Sequence, residues 1–207
     1  MYITLLTAYA RQQNLEQTLE IHRQIKEYFS DNLGYISSAT ILLANAYAYL
    51  GNLSEAIRLR TNNPTKYPGI SWTETFDGQI HEFIAHDKRH AQTNEIYDEL
   101  KSISNELKTD GYTYDERWIT SDRRFNEHYH PLDSHSERLA LAYQLFLRRK
   151  QPHELPIQIT KNLRICGDCH EIFKRMTRIH RNLVLLVRDR TRQHRFQHGQ
   201  CTCHDYF

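Results

Sequence analysis

The fold of the C-terminal half of this chain is decided by residues 155–187, which read LPIQITKNLRICGDCHEIFKRMTRIHRNLVLLV. Two apolar, β-branched stretches, Leu155–Ile159 and Leu183–Val187, predict strands. The segment between them, from about Cys166 to Ile179, has apolar residues at helical spacing and predicts a helix. Strand, helix and strand in this order indicate an α/β sandwich rather than a helical bundle.

Outward from this stretch, the sequence predicts further strands and helices. Residues 70–85 alternate apolar and polar side chains around Asp77-Gly78, a two-residue turn signal, and predict a β-hairpin. Apolar residues at helical spacing predict a helix that stops at Gly111 and another from about Ser134 to Leu147. Together these elements favour a mixed domain of helices and strands.

The N-terminal part contains an internal repeat with a shift of 38 residues. Small, apolar and Asn residues at helical spacing recur in both copies, as Leu5, Ala8, Tyr9, Ala10, Asn14, Leu15 and Leu19, and as Leu43, Ala46, Tyr47, Ala48, Asn52, Leu53 and Ile57. A period of this length predicts two helix-turn-helix units, with turns at Gln13-Asn14 and Gly51-Asn52. Pro and Gly residues between Thr61 and Pro68 then predict a boundary.

Charge is distributed unevenly along the chain, although its net value is only +2. Between Arg148 and Arg195 there are 13 Lys or Arg and 4 Asp or Glu, a local excess of +9, whereas residues 1–147 carry −6. This asymmetry favours a polyanion as the partner of the C-terminal third, although a solvated basic face has the same pattern. Apolar runs of the roughly 18 residues that span a membrane are missing, so we expect no membrane partner.

The four cysteines form two close pairs, Cys166 with Cys169 and Cys201 with Cys203. In a chain with 13 histidines, such pairs are typical of metal ligands. We therefore expect an intracellular, reducing compartment, with two disulfides as the alternative.

One constellation carries the chemistry: His135-Ser136-Glu137 and, after 28 intervening residues, Cys166-Gly167-Asp168-Cys169, each at the start of a predicted helix. In zinc nucleobase deaminases, His and two Cys hold the metal, water takes the fourth position and Glu moves protons. Two thiolates separated by two residues fit one tetrahedral ion, and three protein ligands leave the open position that catalysis needs. Other interpretations remain open, because Ser134 and Glu137 also form a capping box and Cys-x-x-Cys suits a redox pair or a structural zinc site.

Four motifs follow one another along the rest of the chain: Pro68–Trp72, His135–Ala140, Lys161–His170 and Cys201–Phe207. With these motifs in this order, residues 67–207 resemble the DYW domain of pentatricopeptide-repeat RNA-editing proteins, and residues 40–72 resemble the extension motif that precedes it. The resemblance implies a repeat-like helical segment at 1–66 and a DYW cytidine deaminase domain at 67–207. It also implies the fold class, an α+β or α/β sandwich of sheet and helices like that of cytidine deaminases, behind a short α-helical repeat segment.

The family implies hydrolytic conversion of selected cytidines to uridines in single-stranded RNA, with a pentatricopeptide array or partner protein choosing the site. The residues that match by position are His135, Cys166 and Cys169 as ligands of a catalytic zinc ion and Glu137 as the proton shuttle. The chain departs from the family at Phe207, where Trp is usual, and at Tyr143-Gln144, where Phe-Gly is usual. A mitochondrial location follows if the parent protein resembles the family in this respect.

The second cysteine pair needs its own ion, because Cys166 and Cys169 already fill the first site. The economical arrangement is a closed structural zinc site, which gives two zinc ions per chain. The expected ligands are Cys201 and Cys203 with His194 and His90, the two histidines that the resemblance implies because they match recurrent histidines of the family. His198, His204 and His86 are alternatives for the fourth ligand.

The basic segment supplies the candidate contacts to RNA phosphates. They are Lys161, Arg164, Lys174, Arg175, Arg178, Arg188, Arg190 and Arg192. Three alternatives to RNA editing stay open: an RNA-binding recruitment module without catalysis, a deaminase of free nucleosides or DNA, and a zinc-stapled protein-interaction domain.

Overall fold

The computed structural model describes residues 1–63, 67–119 and 130–205 of the chain. These residues form two compact units. The first contains residues 1–63 and a short 3₁₀ helix, Glu116–Trp118, and the second contains the described residues from Pro68 to Asp115 and from 130 onward.

The first unit consists of paired helices. They are α1 (Tyr2–Arg11), α2 (Leu15–Tyr28), α3 (Leu33–Tyr49) and α4 (Leu53–Thr61). The side chains of Asn14, Asn32 and Asn52 cap the starts of α2, α3 and α4 by accepting a backbone N–H three residues later. The turns therefore fall where the repeat predicts them, and the two helix-turn-helix units are confirmed.

The second unit is built on a six-stranded mixed sheet with the order β2-β1-β3-β4-β5-β6. The strands are β1 (Ile70–Glu74), β2 (Ile80–Ile84), β3 (Ile157–Lys161), β4 (Leu185–Arg188), β5 (Gln193–Gln197) and β6 (Gln200–Cys201). Strands β3 and β4 pair in parallel and the other neighbours pair antiparallel. A parallel pair needs a crossover, which the intervening helix provides.

Three α-helices accompany the sheet: α5 (Thr93–Thr109), α6 (Ser136–Lys150) and α7 (Gly167–Ile179). Helix α7 is the crossover between β3 and β4, as the sequence predicts. Buried and exposed residues alternate along β3 and β5, so one face of the sheet carries the core. The predicted fold class, a domain of helices and sheet preceded in the sequence by a helical segment, is confirmed.

Several predicted boundaries differ from the observed ones. Strand β3 begins at Ile157, two residues later than the predicted start at Leu155. Pro156, which precedes it, has no N–H to donate to a strand ladder. The loop of the β1–β2 hairpin has five residues, 75–79, rather than two, and it is closed by a hydrogen bond from Thr75 N to Gln79 O of 2.8 Å. Within the described residues, α-helices with the length and apolar character needed to span a membrane are lacking.

Candidate active site and second metal group

The starts of helices α6 and α7 bring the predicted catalytic residues together. His135 immediately precedes α6, and Cys166 is the N-cap of α7. The Nδ1 atom of His135 lies 3.5 Å from Cys166 Sγ and 3.4 Å from Cys169 Sγ. With Glu137 these residues form what we call the first metal group, whose potential ligand atoms lie within 4.8 Å of one another.

The donor atoms of the first metal group suit a zinc ion. Zn–S bonds of about 2.3 Å and Zn–N bonds of about 2.0 Å in a tetrahedron separate nitrogen from sulfur by about 3.5 Å. The observed separations of 3.4 and 3.5 Å are close to this value. Burial raises the pKa of the Cys169 thiol well above its usual value, so a metal that binds here displaces a proton.

Glu137 is fully buried, and its two carboxylate oxygens have different surroundings. Oε2 accepts hydrogen bonds from Lys161 Nζ and, at 3.2 Å, from Ser136 Oγ. Oε1 has no hydrogen-bond partner among the described residues. Burial by itself would raise the pKa of Glu137, but the positive charges of Lys161 and His135 lower it to about 2. One oxygen is thus held by a cation while the other is left for a ligand.

The capping-box interpretation of Glu137 is wrong. The N-cap of helix α6 is His135 rather than Ser134, this helix start has no side-chain cap, and the carboxylate of Glu137 pairs with Lys161. The other member of that box, Ser134, has its Oγ 2.5 Å from His86 Nδ1.

Lys161 is not a surface residue, so the structure does not place it on an exposed basic face, where a phosphate contact was predicted. Its side chain is only 8% exposed because it lies on the buried face of β3. It forms an ion pair with Glu137, which raises the pKa of Lys161 although burial opposes the charge. The backbone of Gly69 lies over this amine, and a Cβ atom at Gly69 would be 3.4 Å from Nζ. Sequence alternation with Ile157 and Ile159 was the signal that could have placed Lys161 inside.

Arg138 adds a second buried cation beside the thiolates. Its Nε donates to Cys169 Sγ at 3.2 Å, and its guanidinium pairs with Asp168 and lies 3.5 Å from Asp133. The hydroxyl of Tyr112 donates to Asp168 at 2.7 Å. This network satisfies a buried charge and stabilises negative charge on the Cys169 sulfur.

The second metal group consists of His170, His194, Cys201 and Cys203, whose ligand atoms also lie within 4.8 Å of one another. His194 Nδ1 is 3.5 Å from Cys201 Sγ, and His170 Nε2 is 3.1 Å from Cys203 Sγ. Burial and the neighbouring His194 lower the pKa of His170 to about 4, so its ring is neutral at pH 7 and able to bind a metal. All four cysteines of the chain are free thiols, which excludes the disulfide alternative in this structure.

The prediction of His90 as the fourth residue of this group is wrong, because the structure places His170 there. His90 instead contacts the hairpin, where its Nε2 lies 2.9 Å from His81 Nδ1 and its ring stacks on Phe83. The three alternatives His86, His198 and His204 are also outside the group. The signal that could have found His170 is its position directly after Cys169, in the motif that opens α7.

The remaining candidate RNA contacts fall into two sets. Lys174 pairs with Asp205, whereas Arg175 and Arg178 both pair with Asp110. The second set consists of three exposed arginines around the turn between β4 and β5 and of one partly exposed arginine beside α7. They are Arg188, Arg190 and Arg192 at the turn, and Arg164 beside α7. Their positive charge and exposure make the arginines of the second set the better candidates for phosphate contacts.

The mixed fold with His-x-Glu and Cys-x-x-Cys at two adjoining helix starts fits a nucleic acid deaminase. Residues 111–207 match the DYW family of nucleic acid deaminases.

The similar curated proteins are pentatricopeptide repeat-containing proteins of plants. At1g34160 of Arabidopsis thaliana is 38% identical over 189 residues, which are 89% of this chain and 32% of that protein. OGR1, mitochondrial, of Oryza sativa subsp. japonica is 38% identical over 171 residues, 81% of this chain and 28% of that protein. ELI1, chloroplastic, of Arabidopsis thaliana is 35% identical over 189 residues, 89% of this chain and 29% of that protein. This chain therefore spans less than a third of the length of these relatives.

Proposed function

We propose that this chain converts cytidine to uridine in single-stranded RNA by zinc-dependent hydrolysis. The observation that carries the proposal is the Glu137 carboxylate, which is buried in the first metal group with Oε2 held by Lys161 and Oε1 without a partner among the described residues. A carboxylate in this setting is a proton carrier next to a metal rather than a structural ion pair alone.

In the proposed reaction His135, Cys166 and Cys169 would hold a zinc ion, which would supply a Lewis acid that lowers the pKa of water. Glu137 Oε1 accepts a proton from the attacking water and passes protons to N3 and to the amine that leaves from C4 of the base. One water is consumed and one ammonia is released for each uridine formed. Lys161 keeps Glu137 in place from the opposite side.

The substrate nucleotide must leave its stack to reach a buried carboxylate, which favours single-stranded RNA. We assign the phosphate contacts to the exposed arginines of the β4–β5 turn and to Arg164, as predictions from charge and exposure. Site selection then belongs to a pentatricopeptide array or to a partner protein with such an array. Because relatives carry mitochondrial and chloroplastic in their names, an organelle with a reducing interior is the proposed location.

A second zinc ion is proposed in the second metal group, which gives two ions per chain. Its four His and Cys residues would supply all four ligands of a tetrahedral zinc ion, so this ion would stabilise the fold without taking part in the reaction.

The test uses the purified 207-residue chain, a cytidine-bearing single-stranded RNA and the Glu137→Gln variant. The wild type should yield uridine and ammonia, and Glu137→Gln should lose turnover by about 10²- to 10⁴-fold while it keeps its zinc content. Gln matches Glu in size but leaves the buried Lys161 amine without its ion-pair partner, so the melting temperature is measured together with the zinc content to separate loss of the proton acceptor from loss of stability. Turnover by Glu137→Gln near the wild-type rate would contradict the mechanism. RNA binding by a wild type that never deaminates would instead favour the recruitment-module alternative.

A further inference from the structure

Asp189 lies in the turn between β4 and β5, and its buried carboxylate accepts hydrogen bonds on both oxygens. Oδ1 accepts from the backbone N–H of Thr191 at 2.7 Å, from the Thr191 hydroxyl at 2.8 Å and from Arg192 N at 2.9 Å. Oδ2 faces Ile165 N at 3.2 Å and His194 Nε2 at 3.3 Å. A single carboxylate therefore lies between the second metal group and the residue directly before Cys166.

The contact with His194 decides which ring nitrogen faces the metal. Three N–H or O–H donors face Oδ1 and the backbone N–H of Ile165 faces Oδ2, so both carboxylate oxygens act as acceptors. The His194 Nε2 that lies against Oδ2 must therefore carry the hydrogen. The lone pair is then on Nδ1, the atom that lies 3.5 Å from Cys201 Sγ.

The contact with Ile165 reaches the first metal group. Ile165 is buried, so its N–H needs an acceptor, and Asp189 supplies one. The next residue, Cys166, is the N-cap of α7 and a member of the first group. The position of Asp189 thus fixes the backbone from which Cys166 presents its sulfur.

We propose that Asp189 is a positioning residue shared by the two metal groups, which fixes the tautomer of His194 in one and the backbone before Cys166 in the other. The proposal rests on the metal binding of the proposed function and not on deamination. The competing interpretation is that Asp189 only closes the β4–β5 turn.

The variant Asp189→Asn separates the two interpretations. Three donors face Oδ1, so the amide oxygen of Asn takes that side and closes the turn as before. The amide NH₂ then faces His194 and Ile165, where it meets the N–H of Ile165 and favours a hydrogen on His194 Nδ1, the nitrogen that must bind metal. We expect zinc affinity to fall about 10- to 100-fold at the second group and by a smaller factor at the first.

The matched control is Thr191→Val, which removes only the hydroxyl that donates to Oδ1. Zinc competition with a chromogenic chelator gives the zinc affinities of the wild-type 207-residue chain and of both variants. Wild-type affinities at both groups in Asp189→Asn would overturn the proposal, as would an equal loss in Thr191→Val. A wild type that binds no zinc would overturn the proposed function as well, so the two failures can be told apart.

A measurement on the wild type does not depend on how the variants fold. In ¹⁵N NMR of the zinc-loaded chain, we expect His194 to bind metal through Nδ1 and to be protonated on Nε2. His170 should instead bind metal through Nε2, the atom that lies 3.1 Å from Cys203 Sγ. Coordination of His194 through Nε2 would overturn the proposal.

Discussion

The two metal groups use the same kinds of donor atom, but they differ in the fourth member. The first joins His135, Cys166 and Cys169 to the carboxylate of Glu137, one oxygen of which is held by Lys161. The second has four His and Cys members, the fourth of which is His170. Four protein ligands leave no position for water, whereas three do. We therefore expect the first group to govern turnover and the second to govern stability.

Helix α7 serves both groups at once. Cys169 belongs to the first group and His170, the next residue, to the second. Successive side chains on a helix point about 100° apart, so neighbours in sequence face different sites. One helix start thus positions members of both metal groups, and damage to one group is expected to reach the other through α7.

The largest expected effect is the loss of folding stability when a cysteine is removed from the second metal group rather than from the first. Cys203→Ala removes a ligand of the closed group and should forfeit much of the roughly 10 kcal/mol that a structural zinc ion contributes to folding. Cys166→Ala removes the equivalent atom from the open group and should abolish turnover at a smaller cost in stability. Zinc content, melting temperature and turnover of the two variants are the measurements.

Equal behaviour of the two cysteine variants would contradict the assignment of turnover to the first group and of stability to the second. A soluble Cys203→Ala chain with the wild-type melting temperature would remove the structural role of the second group. A Cys166→Ala chain that still deaminates would remove the catalytic role of the first.

Local spacing made much of this molecule predictable. The helical hairpins, the central strand-helix-strand unit and the first metal group each rest on residues separated by a few positions, or on motifs at helix starts. His135 and Cys166 are 31 positions apart, yet each starts its own helix, and the nucleobase deaminase signature pairs those two starts.

Features that depend on contacts between distant parts of the chain could not be predicted from the sequence. Strand β5 has only two buried residues, His194 and Phe196, among polar ones, so its apolar pattern is too weak to indicate a strand. The choice of His170 over His90 depends on how α7 and the β5–β6 hairpin meet, which the spacing of histidines does not specify. Lys161 looks like a surface cation until its place on the buried face of β3 is known.

The next largest effect concerns the ion pair that distinguishes the first group. Lys161→Met leaves Glu137 as a buried charge without its partner and should lower the free energy of unfolding by about 3–5 kcal/mol. The same variant should also lose turnover. The double variant Lys161→Met with Glu137→Gln removes both charges and should regain stability but not activity. Chemical denaturation and deamination assays on the single and double variants form the cycle.

The RNA-contact interpretation of Lys161 makes the opposite forecast. If Lys161 touched phosphate, Lys161→Met would weaken RNA binding and leave the melting temperature unchanged. A double variant no more stable than Lys161→Met would also show that the ion pair is not what destabilises the single variant.

The smallest expected effect concerns RNA affinity and leaves both metal groups intact. For single strands the slope of log affinity against log salt is about −0.7 per neutralised phosphate, so Arg188→Ala with Arg190→Ala should flatten it by up to about 1.4. The control, Arg175→Ala with Arg178→Ala, removes the same charge from side chains that pair with Asp110. Because those cations are already partnered, their loss should change the slope less. Anisotropy titrations at several salt concentrations measure both slopes, while zinc content and melting temperature of Arg188→Ala with Arg190→Ala should match the wild type. Equal slopes in the two double variants would mean that RNA responds to net charge alone and not to the β4–β5 turn.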